Sequence, residues 1–270
     1  MKPFAGFGQS GPHHSAAVNR GVPMQNKTLT AIVTHYVNYR ESDRILTLFS
    51  LQSGRADVKA EGCRRPKSRL LTASQPFVYG EFVLFKSRGK YSLNSCEVRE
   101  SFYPIRDDYD KFAAGSAMLS LCNEAVQPEE PNEPLFSLLY HSLSFLSYGS
   151  IDAQDLMICF LIRYLNIIGF CPSVTKCANC GKDVRTESNI AFSPEAGGAL
   201  CALCSFRAEP ISSLALEAMR RIILLDDKSI DRVRLPEKAK TQLWPHLLSY
   251  VRHVLGHPVK SLTILSEHLK

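Results

Sequence analysis

The sequence predicts an α+β protein with a small β-barrel first, a mostly α-helical domain behind it, and a four-cysteine module inserted into that domain. Three observations predict this. Segments between residues 29 and 99 are rich in β-branched and aromatic residues and are separated by turns. After Pro104 the apolar residues recur with a helical period. Two C-x-x-C pairs then interrupt that pattern between residues 173 and 208.

Residues 1–26 are rich in Gly, Ser, Pro, His and Asn and contain no apolar stretch of signal-peptide type. They read as a disordered tail, with Met24 an alternative start. Strands are predicted at 29–37, 44–50, 55–60, 77–85 and 91–99. Ser87-Arg88-Gly89-Lys90 is the hairpin turn between the last two, with Gly89 at the position needing positive φ. Five short strands in this space suit a small closed barrel, most often an OB-fold, over residues 27–104.

Helices are predicted at 107–126, 135–148 and 152–168, with the Pro- and Glu-rich segment 127–134 breaking the first from the second. Arg163 is the only charged residue from Leu156 to Ile168, so the third helix belongs at the centre of a bundle. Gly169 caps it and Pro172 stops it. Further helices are predicted at 212–225, capped by Ser212 or Ser213, at 236–255 with Pro236 in the first helical position, and at 260–269. The helical domain thus spans 105–172 and 209–270, around a module at 173–208.

The net charge of +6 is concentrated. Residues 27–106 hold 14 Lys and Arg against 7 Asp and Glu, whereas residues 107–270 hold 16 against 19. The barrel segment therefore calls for a polyanionic partner. No apolar run is long enough for a membrane helix, so no membrane partner is expected. No export signal accompanies the nine cysteines, which points to the reducing cytoplasm.

Cys177-x2-Cys180 and Cys201-x2-Cys204 have the spacing of two zinc knuckles. Each turn sets two thiolates on one side of a metal, and two turns complete a tetrahedron. One structural Zn2+ is expected, since four thiolates leave no position for a catalytic water. A redox C-x-x-C would need a βαβ setting, which is missing. Gly181 follows the first knuckle, but Ser205 follows the second. The other cysteines read as small buried hydrophobes.

Between Arg64 and Arg69 lie four cations, Arg64, Arg65, Lys67 and Arg69, with Pro66 keeping the chain extended. OB-folds grip nucleic acid with such a positive groove and with aromatic stacking platforms. Lys86, Arg88 and Lys90 on the hairpin extend the basic character, and Tyr91 beside them is a stacking candidate, with Tyr36, Tyr39, Phe77 and Tyr79 as others. The alternative is a solvated charge run beside aromatics that fill the barrel. No phosphate loop, metalloprotease helix or nucleophile elbow is present, and Ser173-Val-Thr-Lys176 is too short a pattern to assign catalysis. No small-molecule substrate is expected.

Five segments in order then carry a resemblance. They are Tyr39-Arg-Glu-Ser-Asp-Arg-Ile-Leu-Thr-Leu-Phe49, Gly62-Cys-Arg-Arg-Pro-Lys-Ser-Arg-Leu70 with Gln75-Pro-Phe77, residues 165–172, Phe192-Ser-Pro-Glu-Ala-Gly-Gly198, and Gly256-His-Pro-Val-Lys-Ser-Leu262. Over about residues 27–269 the chain resembles the RecO family of bacterial recombination mediators. The resemblance implies a non-enzymatic protein that binds single- and double-stranded DNA and anneals complementary strands. It also implies work with RecR to load the recombinase RecA, and contact with the acidic, apolar C-terminal tail of single-strand-binding protein. Many members lack some of the four cysteines, whereas all four stand here. Arg163 has two readings: an internal ion pair, or the receptor of that tail. Two other classes compete with the mediator: a nucleic-acid-processing enzyme and a zinc-ribbon adaptor that binds only proteins.

Overall fold

β1 (Gln25–Tyr39), β2 (Asp43–Ser50), β3 (Gly54–Ala60), β4 (Tyr79–Ser87) and β5 (Lys90–Glu100) close into a barrel of order β1-β2-β3-β5-β4. The computed structural model describes residues 25–87 and 89–268. β4 pairs back to β1, and every junction is antiparallel except β3 with β5, where Val58 faces Tyr91 and Lys59 faces Ser92. This is the connectivity of an OB-fold, and closure leaves no free sheet edge. Gln25 and Asn26 pair with Lys86 and Phe85 of β4, so the expected tail gives up its last two residues to the ladder. Residues 1–24 lie outside the described residues.

β1 shows why the barrel's apolar pattern does not alternate cleanly. Leu29, Ala31 and Val33 fill the barrel interior, while Ile32 between them is buried in the core of the helical domain. Phe49 does the same on β2: it packs edge-on against Phe136 at 5.3 Å, beyond Leu46 and Leu48 inside the barrel. Aromatic pairs of this kind add about 1 kcal/mol beyond their buried area. The barrel is thus apolar on the inside and along one outer seam.

A 3-10 turn at Tyr103–Arg106 leads into α1 (Tyr109–Ala125), α2 (Glu133–Tyr148) and α3 (Ala153–Ile167). Asp108, Asn132 and Asp152 each accept backbone N–H bonds at the helix starts, satisfying groups that would otherwise be orphaned. α3 is buried from Asp155 to Ile162, as its composition predicts. The segment before α2 does more than break a helix. The Arg55 N–H bonds Gln127 O at 3.1 Å, and the Glu129 N–H bonds Ser53 O at 2.9 Å. Gly54 (φ 61) makes this approach possible, because a Cβ there would lie 2.4 Å from the Gln127 carbonyl oxygen. Barrel and helices are therefore tied through backbone.

α4 (Ser213–Ile223), α5 (Glu237–Leu255) and α6 (Lys260–His268) complete the helical domain. Ser212 caps α4 by accepting from the Ala215 N–H. Pro236 is the cap of α5 rather than its first helical residue, a shift of one position that arises because its ψ of 140° is extended. Between α3 and α4 the cysteine module carries a small sheet of order β7-β6-β8, from β6 (Ala191–Ser193), β7 (Gly198–Leu200) and β8 (Glu209–Pro210). Phe192 of β6 is buried against His246 and Tyr250 of α5. Arg220 of α4 donates to the Val174 carbonyl at 2.7 Å. The module shares the helical core and has little of its own.

Candidate nucleic-acid interface and metal centre

The chain between β3 and β4 is the basic loop, and its ends are fixed by the β1–β2 turn. The Gly62 N–H donates to the Asp43 carboxylate at 2.8 Å, and the Arg64 N–H donates to the Ser42 carbonyl at 3.0 Å. The Gly62 bond, helped by Lys59, holds the Asp43 carboxyl below its ordinary value. A lowered carboxylate contributes its stabilisation above the ordinary carboxylate range and loses it as pH falls through the lowered value. The tether therefore holds throughout neutral pH. Arg44 grips the far end of the loop, donating to the Ser74 carbonyl at 2.9 Å while its guanidinium lies 4.0 Å from the Tyr36 ring. Glu-Ser-Asp-Arg at 41–44 is thus a clamp for the loop.

Arg64, Arg65, Lys67 and Arg69 are all exposed, and among the described residues none of them is in an ion pair. A cleft of about 560 Å³ opens beside them, lined by Arg40, Lys59, Glu61 and Arg65 among others. Tyr39 stands at its rim, with Arg40 at 5.3 Å and Lys59 at 5.8 Å from its ring. Lys90 and Lys86 are exposed on the β4–β5 hairpin, and Tyr91 is half-buried next to them. Arg88 lies outside the described residues. Val58, the partner of Tyr91, is four residues from Gly62, so about 13 Å of strand separates the hairpin from the basic loop.

Two expected stacking platforms are not platforms. Phe77 is fully buried and meets Phe112 of α1 at 5.8 Å. Tyr79 packs on Tyr140 of α2 at 4.9 Å. The helical domain claims the outer face of the barrel at this point. Tyr36 has one ring face taken by Arg44. Tyr39 and Tyr91 retain accessible surface. Lys27, read from the sequence only as the first barrel residue, turns out to sit 6.0 Å from the Tyr91 ring.

The four cysteines of the paired motifs converge, with all four sulfurs within 4.8 Å of one another and Cys180 Sγ 3.7 Å from Cys201 Sγ. Thiolates placed tetrahedrally at about 2.3 Å from a metal stand roughly 3.8 Å apart, so the cluster fits a metal ion. Burial pushes the Cys177 thiol up, but backbone N–H groups of Cys201, Cys180 and Asn179 aimed at its sulfur outweigh this and bring it to about 6. Cys177 is thereby prepared for the thiolate form, whereas at Cys204 a bond with the Asn179 side chain is outweighed by burial and the three neighbouring sulfurs, which push that thiol up to about 11. Gly181 takes the left-handed conformation in the first knuckle (φ 76). In the second, the Ser205 hydroxyl donates to Ala202 O and the left-handed residue is Arg207 (φ 62). Elsewhere Cys63, Cys122 and Cys159 are buried, and burial pushes the Cys159 thiol up to about 12; Cys171 is exposed.

Arg163 is the internal ion pair of its two readings. Its guanidinium meets Asp227 at 3.0 Å and donates to the Ile223 carbonyl, the last residue of α4, at 2.7 Å. It joins the end of α4 to the 3-10 turn Asp227–Arg232. Beside that junction lies a groove of about 430 Å³, lined by Leu214, Ala218, Ile222, Leu225, Val233 and Leu235, with Arg234 and the Arg221–Glu217 ion pair also on its lining. Among the described residues no helix is long and apolar enough to cross a membrane.

Comparison with known proteins agrees with this geometry. Residues 24–102 match the family described as Recombination protein O N terminal, and residues 106–263 match Recombination protein O C terminal. A DNA repair protein RecO of Desulforamulus reducens is 31% identical over 245 residues, covering 90% of this chain and 94% of that protein. The RecO of Caldicellulosiruptor saccharolyticus is 33% identical over 86% of this chain and 94% of its own length. That of Acetivibrio thermocellus is 38% identical over 65% of this chain and 69% of its own length. With both halves matched in order, the chain belongs to the RecO family of DNA repair proteins.

Proposed function

We propose that the protein is a non-enzymatic recombination mediator of the cytoplasm, associated with the nucleoid. It binds single- and double-stranded DNA through the barrel and anneals complementary strands. Together with RecR it helps load RecA onto DNA coated by single-strand-binding protein. The observation that carries this reading is the basic loop: four exposed cations, free of carboxylate partners among the described residues, on a segment clamped by Asp43 and Arg44. Neutralised phosphates let two strands approach without repulsion. The metal is one structural zinc, held by Cys177, Cys180, Cys201 and Cys204. It fills no catalytic role, because four thiolates complete its coordination.

The deciding experiment anneals complementary oligonucleotides precoated with single-strand-binding protein. The protein is expected to accelerate annealing of the coated strands, and RecA loading is expected to require RecR as well. Binding to naked DNA with no effect on coated strands would overturn the mediator reading.

The contact with the tail of single-strand-binding protein belongs to the groove beside α4 and not to Arg163 itself. An acidic tail with apolar side chains complements an apolar groove rimmed by Arg234 and by Arg221, which shares Glu217 of the same groove at 2.9 Å on the exposed rim, whereas the Arg163 charge is committed to Asp227 in a largely buried pair. Arg163 is a positioning residue that holds the groove wall. A tail peptide titrated against Arg221→Ala plus Arg234→Ala is expected to bind several-fold more weakly, with reduced salt dependence. Arg163→Ala is expected to weaken binding with an unchanged salt dependence. Wild-type affinity in the double variant would exclude the groove.

A further inference from the structure

One end of the barrel gathers two lysines that have no counter-charge among the described residues. Along β1 the interior residues Leu29, Ala31 and Val33 alternate with outward ones, and the same parity carries Lys27. Along β4 the interior residues Phe82 and Leu84 carry Lys86 by the same rule, and on β5 Leu93 carries Tyr91. Lys86 pairs with Gln25 on one side and with Tyr91 on the other, so the start of β1, the end of β4 and the start of β5 meet at this mouth. The Lys27 and Lys86 ammonium groups lie 6.0 and 5.1 Å from the centre of the one Tyr91 ring. Asn26 completes the lining of a cavity of about 310 Å³.

The Lys27 ammonium donates to the Ser53 hydroxyl at 2.6 Å, a neutral partner. Among the described residues neither lysine is in an ion pair. Residues 1–24, Arg88 and residues 269–270 include no Asp or Glu. The ring quadrupole attracts both ammonium groups but leaves their charge in place. Two like charges drawn to one concave mouth repel, and an anion seated between them removes that repulsion.

We propose that this mouth is a phosphate-binding pocket, separate from the basic loop, in which Lys27 and Lys86 hold one phosphoryl group. Tyr91 offers its ring to the sugar or base attached to that group. The assignment of a nucleic-acid strand as the source of the phosphoryl group rests on the reading of the barrel as a DNA-binding domain. The pocket then extends the path of the strand along β3 and β5, about 13 Å of strand from the basic loop.

The test compares the full chain with the Lys27→Gln, Lys86→Gln double variant, using three probes. These are oligo-dT with a 5′-hydroxyl, the same oligonucleotide with a 5′-phosphate, and inorganic pyrophosphate. Glutamine keeps the side-chain stem and the fold, checked by helical content. For an internal backbone phosphate, the double variant is expected to bind both oligonucleotides with a salt slope lower by about 0.7, the share of one phosphate contact on a single strand. A deficit seen only with the 5′-phosphate identifies a terminal phosphate. Pyrophosphate is expected to raise the unfolding temperature of the wild type more than that of the double variant, because only a folded pocket binds it. A double variant that matches the wild type with all three probes overturns the pocket. A variant lacking the four loop cations, run in parallel, keeps its pyrophosphate shift if the pocket is separate. If both variants bind oligonucleotides as the wild type does, the DNA-binding reading falls, while the pyrophosphate shift still decides the pocket.

Discussion

Replacing Arg64, Arg65, Lys67 and Arg69 with alanine is expected to remove most single-stranded DNA binding and to leave the protein folded. Each phosphate contact on a single strand contributes about 0.7 to the salt slope, so four lost contacts flatten it by about 2.8. Near 0.1 M salt that corresponds to a loss of roughly two to three orders of magnitude in affinity. The fold is spared because the loop is held from elsewhere. Its tethers are the Gly62 and Arg64 N–H groups, the Asp43 carboxylate and the Arg44 guanidinium, none of which the variant alters. Little base preference is expected in either protein, because backbone charge and stacking carry almost no sequence information. Salt titrations on oligo-dT and on a mixed sequence measure both effects. An unchanged slope would move the principal DNA contact to the hairpin, with Lys86, Arg88 and Lys90.

The exposure of the loop between two strands was legible in the sequence because four cations around a proline are a local signal of a solvated, extended segment. Its clamp was not legible. Asp43 reaches Gly62 across 19 residues and Arg44 reaches Ser74 across 30, and no pattern in the Glu-Ser-Asp-Arg segment announces those partners. Arg163 illustrates the same limit. Its isolation on an apolar helix predicted a partner, but only the fold names Asp227, 64 residues away. The aromatic residues were misjudged for a related reason. Phe77 and Tyr79 have the composition of stacking platforms, and nothing local tells that α1 and α2 cover them. Lys27 was passed over because a lysine at a strand start is ordinary until β4 and β5 are laid beside it. The helices were read to within two residues at most ends, since capping residues such as Asp152 and Ser212 are themselves local signals. The paired cysteine spacing was legible for the same reason.

Removal of the metal is expected to unfold the cysteine module and to weaken the helical domain with it. The purified, reduced protein is expected to hold about one zinc per chain, and Cys177→Ser or Cys201→Ser to abolish that content. Zinc binding to small four-ligand modules is worth roughly 10–16 kcal/mol, as large as the whole stability of an ordinary domain. The module has few other resources. Its strands β6, β7 and β8 are two or three residues long, and its buried Cys177 and Cys201 belong to the sulfur cluster itself. The damage should spread along identifiable contacts. Phe192 would withdraw from His246 and Tyr250 of α5, and Arg220 of α4 would lose the Val174 carbonyl. Hydrogen exchange after chelation is therefore expected to rise first at 191–200 and then in α4 and α5, with the barrel strands still protected. DNA binding by the barrel should keep its salt slope in the same sample. Absence of metal from carefully reduced protein would exclude the zinc. Metal loss that leaves exchange at 191–200 unchanged but abolishes annealing would show that the metal acts in function and not in folding.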